Sequence, residues 1–291
     1  KHRGRRQQQQ QRKWRSDDAL TTTHFINNDV KPESHSRLFW LISDSWVLAK
    51  RSIRHITRNL DQLFSVALFP IMFFLLFRYV FGGAIDTGSI SYVNFLVAGI
   101  FVQMLAFGAN YTTMNLAIDL QRGIVNRFKS LPISRSALLI GHVGADLVRN
   151  MMTGLIVIGV SFLVGFQPVA SAMDWVLIFV LAALFSLAIS WISAVMGLIV
   201  KSIEAAQWTG FIVIFPLTFV SSAFVPTETM PYALRLFAEN QPLTHVIEAI
   251  RSWLVGTPVG DSGWLAFAWC MGIITVTVPI ASWLFKRQTL R

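Results

Sequence analysis

Six long apolar segments constrain the fold of this chain more than any other feature of its sequence. Each has about 20 residues or more, and a helix of that length, rising about 1.5 Å per residue, matches the hydrocarbon thickness of a bilayer. Charged residues make up only 14% of the 291, against about 25% in soluble domains. We therefore predict an all-α polytopic membrane protein with transmembrane helices at residues 62–81, 94–115, 137–164, 175–200, 205–224 and 264–285.

The positions of the cations predict the orientation of these helices. The net charge is +10, and 13 of the 25 Lys and Arg precede Asn59. Because Lys and Arg are enriched in cytoplasmic loops, we expect both termini in the cytoplasm, with only Arg78, Arg235 and Arg251 outside. The excess positive charge favours contact with anionic lipids over binding of nucleic acid.

The sequence divides into three regions. Residues 1–36 contain five consecutive glutamines and few apolar residues, which predicts a disordered basic tail. Residues 37–60 place an apolar stripe opposite Lys50, Arg54 and Arg58, which predicts an amphipathic interfacial helix. A soluble amphipathic helix packed on a partner is the alternative. The six-helix transmembrane domain then occupies residues 61–291. Because residues 1–35 have no apolar core, we expect no cleavable signal peptide.

A basic segment separates the second apolar segment from the third. Within it Ile124, Phe128 and Leu131 fall on one helical face, while Arg122 and Arg127 project elsewhere. This pattern predicts a short cytoplasmic helix that docks on another protein. We hypothesise that this helix receives force from a separate soluble protein.

Polar residues inside the apolar segments indicate which faces turn inward, because buried amides are costly unless they face protein or water. In the third segment Asp146 and Arg149 are three residues apart. They form either a gating ion pair or a locally neutralised structural pair. In the second and fifth segments the inward faces are predicted to carry Gln103, Phe107, Asn110, Tyr111, Gln207, Phe211 and Phe215.

Residues 225–263 are too polar to span a membrane. They predict two short amphipathic helices at the outer surface, the second with a polar face of His245, Glu248 and Arg251 and a stop at Gly256. The chain has no phosphate-binding loop and no HExxH motif, and its one cysteine is Cys270. We therefore expect no catalytic residue and no metal site.

Two stretches resemble type-2 ABC transporter permeases, in particular the daunorubicin-resistance-like branch. One is residues 123–150, GIVNRFKSLPISRSALLIGHVGADLVRN, which is similar to the cytoplasmic loop and third helix of that family. The other is the order of Pro226, Pro231, Asn240-Gln241-Pro242, Arg251 and Gly256 after the fifth segment. The resemblance covers about residues 37–287.

The resemblance implies a membrane subunit that is not itself an enzyme. Such a permease pairs with a second copy or a sister permease, contacts membrane lipids, and binds two separate ABC ATPase subunits that hold ATP and Mg, with no cofactor on this chain. It would export an amphipathic drug or lipid across the bacterial plasma (inner) membrane by alternating access. The alternative is a self-sufficient secondary carrier or channel. The implied coupling residues are Arg122, Gly123, Ile124, Arg127, Phe128 and Leu131, the inward faces above line the path, and Pro242, Glu248 and Arg251 form an outer gate.

Overall fold

A computed structural model describes residues 60–85, 87–88, 90–121, 135–200 and 202–289. These residues form helices joined by short turns, with no strand among them. We label the helices α1 (Leu60–Leu76, continued by a π-helical turn at Phe77–Phe81), α2 (Tyr92–Gly108), α3 (Asn110–Gln121), α4 (Arg135–Leu163), α5 (Ala172–Ile199), α6 (Ile203–Phe219), α7 (Tyr232–Asn240), α8 (Pro242–Val255) and α9 (Ser262–Thr289). A 3-10 turn, Thr227–Thr229, precedes α7.

Among the described residues, four stretches are long and apolar enough to cross a bilayer, namely Tyr92–Gln121, Leu138–Leu163, Ala172–Ile199 and Ser262–Gln288. The first of these includes α2 and α3, which are separated only by Ala109. The first and fifth predicted segments are also helical, but their apolar helices, Ala67–Phe81 and Ile203–Phe219, are shorter. The prediction of an all-helical apolar bundle is confirmed for the described residues, whereas six spans stay a prediction.

The fifth apolar segment ends earlier than predicted, because α6 ends at Phe219 and not at residue 224. The last carbonyl groups of an α-helix have no hydrogen-bond partner within the helix itself. At the end of α6 a polar side chain donates hydrogen bonds to them. Gln241 Nε2 donates to Leu217 O at 3.0 Å and also to Val220 O. Residues 220–224 therefore form a turn that is tied to the residue preceding α8.

The core of the bundle lies around α2. Its apolar side chains, among them Leu96, Ile100 and Leu105, are fully buried, and it packs against α1, α4, α5 and α8. A Cβ atom at Gly99 would collide with the backbone of Ala223, so this glycine allows the turn after α6 to pack directly on α2. At the periphery, α9 exposes large apolar side chains such as Trp264 and Trp283, as expected for a lipid-facing helix.

The segment after α6 contains the two predicted short helices, but the second is not a surface helix. Val246, Ile247 and Ile250 of α8 are fully buried against α2, α5 and α9. The prediction that Gly256 ends this helix is confirmed, because Gly256 adopts φ 78° at its C-cap and glycine occupies this left-handed region at little cost. One end of the bundle is therefore filled by α8, and we call it the α8 end.

Three predicted features lie outside the described residues. They are the basic tail of residues 1–36, the amphipathic helix of residues 37–60 apart from its last residue, and the coupling segment at residues 122–131.

Candidate functional site

Phenylalanine side chains form a continuous row along one side of the bundle. On α6, Phe211, Phe215 and Phe219 follow one another at four-residue spacing, with ring centroids 5.0 and 4.2 Å apart. The row continues at Phe224, whose centroid lies 5.0 Å from that of Phe219. Rings from α1 and α2 pack beside it, and we call the whole set the phenylalanine ladder: Phe69, Phe73, Phe77, Phe107, Phe211, Phe215, Phe219 and Phe224.

The surroundings of the ladder are apolar and partly uncovered. Residues 62–77 and 205–227 contain no charged side chain. On α6, Trp208, Ile212 and Val213 are exposed beside Phe211. A contiguous apolar face of this kind marks contact with lipid, with an apolar ligand or with another protein.

Five of the seven residues predicted to line a path lie together at the junction of α2, α3 and α6. The rings of Phe107 and Phe211 are 6.0 Å apart, and Asn110 Nδ2 donates to Gln207 O at 3.4 Å. Phe215 packs on Phe211. A Cβ at Gly210 would collide with the Asn110 amide, so the glycine lets α6 approach α3 closely. Asn110 thus fixes the contact between the two helices.

The other two predicted path residues are Gln103, which is buried, and Tyr111, which is half-buried. Gln103 is 2% exposed, and neither atom of its amide has a hydrogen-bond partner among the described residues. Tyr111 makes a cation–π contact with Arg149, whose guanidinium lies 4.4 Å from the centroid of the tyrosine ring. The inward orientation of this face is therefore found, but Gln103 does not share the exposed surface of Phe211.

The predicted pair of Asp146 and Arg149 forms a buried contact on α4. Arg149 Nη2 donates to Asp146 Oδ1 and, at 3.2 Å, to Gly108 O at the end of α2. The neighbouring Asn150 donates to Ser186 Oγ on α5 at 2.9 Å. Pairing lets both charges lie in the apolar interior, and the guanidinium also satisfies a carbonyl at the break between α2 and α3. These contacts favour the structural interpretation over a gate.

Arg251 joins three separate parts of the α8 end. Its Nε donates to Phe95 O on α2 at 3.2 Å, its Nη1 to Glu248 Oε1 at 2.6 Å, and its Nη2 to Ser222 O after α6. The guanidinium also lies 3.7 Å from the ring centroid of Phe95. Arg251 is only 4% exposed, so its predicted place on a solvent-facing polar face is wrong. The third predicted gate residue, Pro242, is the first residue of α8.

A cavity of about 690 Å³ opens beside this arginine. Carboxylates from three elements line it, namely Glu228, Glu239 and Glu248, together with His245 and Arg251. Burial lowers the pKa of His245, and the nearby Glu248 only partly opposes this effect, so His245 is neutral at pH 7. Burial likewise lowers the pKa of Arg251, but an arginine stays protonated at neutral pH. We call this space the carboxylate cavity.

Comparison with known proteins identifies the class to which this architecture belongs. The family model described as ABC-2 type transporter matches residues 44–255, which is well over half of the chain. This chain belongs to the ABC-2 type transporter family. The resemblance seen in residues 123–150 and 224–256 is thereby confirmed.

Two relatives of this ABC-2 chain carry transport names, and a third is named for nodulation. It is 29% identical over 227 residues, 78% of the chain and 80% of the relative, to a daunorubicin resistance ABC transporter permease protein of Streptomyces coeruleorubidus. It is 25% identical over 260 residues, with 86% and 90% covered, to a protein of Mycobacterium tuberculosis named "Probable doxorubicin resistance ABC transporter permease protein". Nodulation protein J of Rhizobium leguminosarum is 24% identical over 217 residues, with 72% and 79% covered.

Family membership and the apolar helices together indicate a multi-pass membrane protein that acts as the permease part of an ABC transporter. An ABC-2 permease associates with an ABC ATPase subunit. The six predicted coupling residues, from Arg122 to Leu131, lie outside the described residues, so their role stays a prediction. The helices on either side of them touch, because His142 Nε2 of α4 lies 2.9 Å from Asp119 Oδ2 of α3.

Two groups of residues at the site were predicted only in part. The ladder members on α1 are spaced four residues apart, as are those on α6, and this spacing was a readable signal for a shared face. The carboxylate cavity had no such signal, because Glu228, Glu239 and Glu248 belong to three different elements whose proximity depends on the packing of α8 into the bundle.

Proposed function

We propose that this chain is the membrane subunit of an ATP-driven exporter that moves an amphipathic drug or lipid out across the plasma membrane by alternating access. ATP is hydrolysed on two separate ATPase subunits, each of which docks on the segment at residues 122–131 of one permease copy. The second permease subunit is another copy of this chain or a sister chain. Both termini lie in the cytoplasm.

The phenylalanine ladder is the observation that carries this proposal. Aromatic rings offer large apolar contact surfaces that accept ligands of different shapes, and the stretches that bear most of the ladder, residues 62–77 and 205–219, contain no charged residue. A sugar polymer would need hydrogen-bonding groups along its whole route, whereas the phenylalanine side chains of the ladder have no hydrogen-bond donor or acceptor. Two relatives named for resistance to drugs support a drug-like or lipid-like cargo.

In alternating access, the part of this chain that we expect to open and close is the junction of α2, α3 and α6. Phe107 and Asn110 lie on one side of it and Phe211 and Gln207 on the other. When the ATPases close and displace the coupling segments, this junction would open toward one side of the membrane and then toward the other. The ladder leads from the junction to Phe224, two residues before Pro226 of the carboxylate cavity, which we place at the outer surface.

The experiment is transport by the purified permease–ATPase complex in liposomes, with rhodamine 6G and a fluorescent phospholipid as separate cargoes. We expect ATP-dependent movement of at least one cargo. The Phe215→Ala variant should reduce its rate by about 5- to 10-fold, because one aromatic contact contributes about 1 to 1.5 kcal/mol. Phe162→Ala is the matched control, since Phe162 is an exposed phenylalanine of α4 outside the ladder.

Two results would contradict the proposal. Movement of the cargo without ATP and without the ATPase would indicate a self-sufficient carrier or channel. Equal rates for the Phe215→Ala and Phe162→Ala variants would show that the ladder does not contact the cargo.

A further inference from the structure

Arg78 is the exception among the arginines whose side chains the structure describes, because its guanidinium has no partner. Arg149, Arg235 and Arg251 each pair with a carboxylate. Arg287 lies over a tryptophan ring, 5.6 Å from its centroid. Arg78 makes no ion pair or hydrogen bond with a described residue, and its Nε is buried without an acceptor. Since an unpaired donor of this kind costs free energy, an anionic ligand would stabilise the guanidinium.

The position of Arg78 along the chain places it at the level of lipid phosphates. It is the only charged residue in positions 62–85, and it follows Asp61, near the start of α1, by 17 residues. At about 1.5 Å per residue this distance is about 25 Å, against about 30 Å for the hydrocarbon core of a bilayer. An arginine side chain extends toward the nearer interface. The guanidinium therefore reaches the head groups at the far end of α1, which is the outer end in the orientation proposed above.

The surface beside Arg78 is apolar and uncovered. Leu76, Tyr79 and Val80 are exposed, whereas Arg78 itself is half-buried. Tyrosine is enriched at membrane–water interfaces, which agrees with the depth derived for its neighbour. The α-helix also changes to a π-helix at Phe77–Phe81, and such local departures from the α-helix are frequent at functional sites. A ligand of Arg78 thus meets an unpaired cation and an apolar surface together.

We propose that Arg78 binds the phosphodiester of a phospholipid in the outer leaflet, and that the acyl chains of this lipid lie against the exposed side chains of Leu76, Tyr79 and Val80. The planar fork of a guanidinium matches two oxygen atoms of a phosphate group. The lipid is a bound component of the complex and not its cargo. The site therefore goes beyond the proposed export function and does not depend on it.

The test is native mass spectrometry of the purified full-length permease–ATPase complex in detergent. The probes are dipalmitoylphosphatidylglycerol and dipalmitoylglycerol, which have the same acyl chains, whereas only the first has a phosphodiester. Basic segments elsewhere also attract anionic lipid, so the readout is the difference between variants. We expect Arg78→Gln to bind phosphatidylglycerol at this site about tenfold more weakly and to retain one molecule fewer per copy of the chain. Arg78→Lys keeps the charge but not the fork, and it should give an intermediate result.

Arg235→Gln is the matched control, because Arg235 is an exposed arginine that already pairs with Glu239. It should retain as much phosphatidylglycerol as the wild type. The melting temperature of each variant is measured with and without lipid. Because a ligand that binds the folded state stabilises it, phosphatidylglycerol should raise the melting temperature of the wild type more than that of Arg78→Gln.

Three results would overturn the proposal. Equal retention of phosphatidylglycerol by the wild type and Arg78→Gln would show that Arg78 does not hold the lipid, and equal retention of dipalmitoylglycerol would show that the phosphodiester is not recognised. Displacement of the lipid by excess inorganic phosphate would identify a soluble anion as the ligand. A lower melting temperature of Arg78→Gln before any lipid is added, with lipid binding unchanged, would indicate a carboxylate of another subunit as the partner of Arg78 and would likewise contradict the lipid site.

Discussion

Arg251 provides the most direct test of how the α8 end is held together. Its guanidinium donates to two backbone carbonyls, of Phe95 and Ser222, and to the carboxylate of Glu248. Removal of one partner of a buried ion pair costs about 3–5 kcal/mol. Because the Glu248 side chain is 37% exposed, water can solvate it after the loss, and we expect the lower end of this range. The variant Arg251→Ala should therefore lose about 3 kcal/mol of the free energy of unfolding.

Cys270 supplies the assay. It is the one cysteine of the chain and is fully buried, so a thiol-reactive dye that fluoresces on reaction reports unfolding without any engineered label. A loss of about 3 kcal/mol corresponds to a melting temperature lower by about 6–12 °C for a domain of this size. Arg251→Lys keeps the charge but not the planar fork of donors, and it should fall between Arg251→Ala and the wild type.

The control is Arg235→Ala, which removes an arginine from the other Arg–Glu pair of this region. Arg235 and Glu239 are 44% and 40% exposed, and solvent screens such pairs, so the melting temperature should hardly change. Equal shifts for Arg251→Ala and Arg235→Ala would show that the buried contacts of Arg251 do not hold α8 against α2.

Two further predictions concern the coupling segment and the packing of α2. Replacement of Ile124 and Phe128 together by alanine truncates a docking face outside the membrane core. The complex should therefore stay folded and its ATPase active, while cargo transport falls. Lys129→Ala is the control, and unchanged transport by the double variant would contradict coupling at this face. Gly99→Ala should destabilise the bundle by about 1–3 kcal/mol, as its Cβ would meet the backbone of Ala223. Gly159→Ala, where a Cβ meets nothing within 4 Å, should be neutral or slightly stabilising in the same dye assay.

The parts of the fold that follow from local pattern were predictable from the sequence. Long apolar runs located the long helices that the structure describes, an amphipathic pattern located α7 and α8, and Gly256 marked the end of α8 because only its local backbone geometry is involved. The pairing of Asp146 with Arg149 was equally local, since the two residues are separated by one helical turn.

Contacts between distant residues were not predictable in this way. Arg251 and Phe95 are 156 positions apart. The periodicity of a helix shows which residues share a face, but it does not show whether a cation on that face is buried by other helices or exposed to water. The length of α6 was overestimated for a related reason. Its apolar run continues to residue 224, but Gln241, 24 positions after Leu217, takes the carbonyls at the end of the helix.

The same distant contacts determine how force from the coupling segment would travel in the proposed mechanism. The helices that flank this segment, α3 and α4, are joined by His142 and Asp119 at 2.9 Å, while Arg149 Nη2 of α4 donates to Gly108 O at the end of α2 at 3.2 Å. Asn110 begins α3 and donates directly to a backbone carbonyl of α6, whereas α2 is surrounded by core side chains. In the proposed mechanism, displacement of the segment would therefore reach α6 through Asn110.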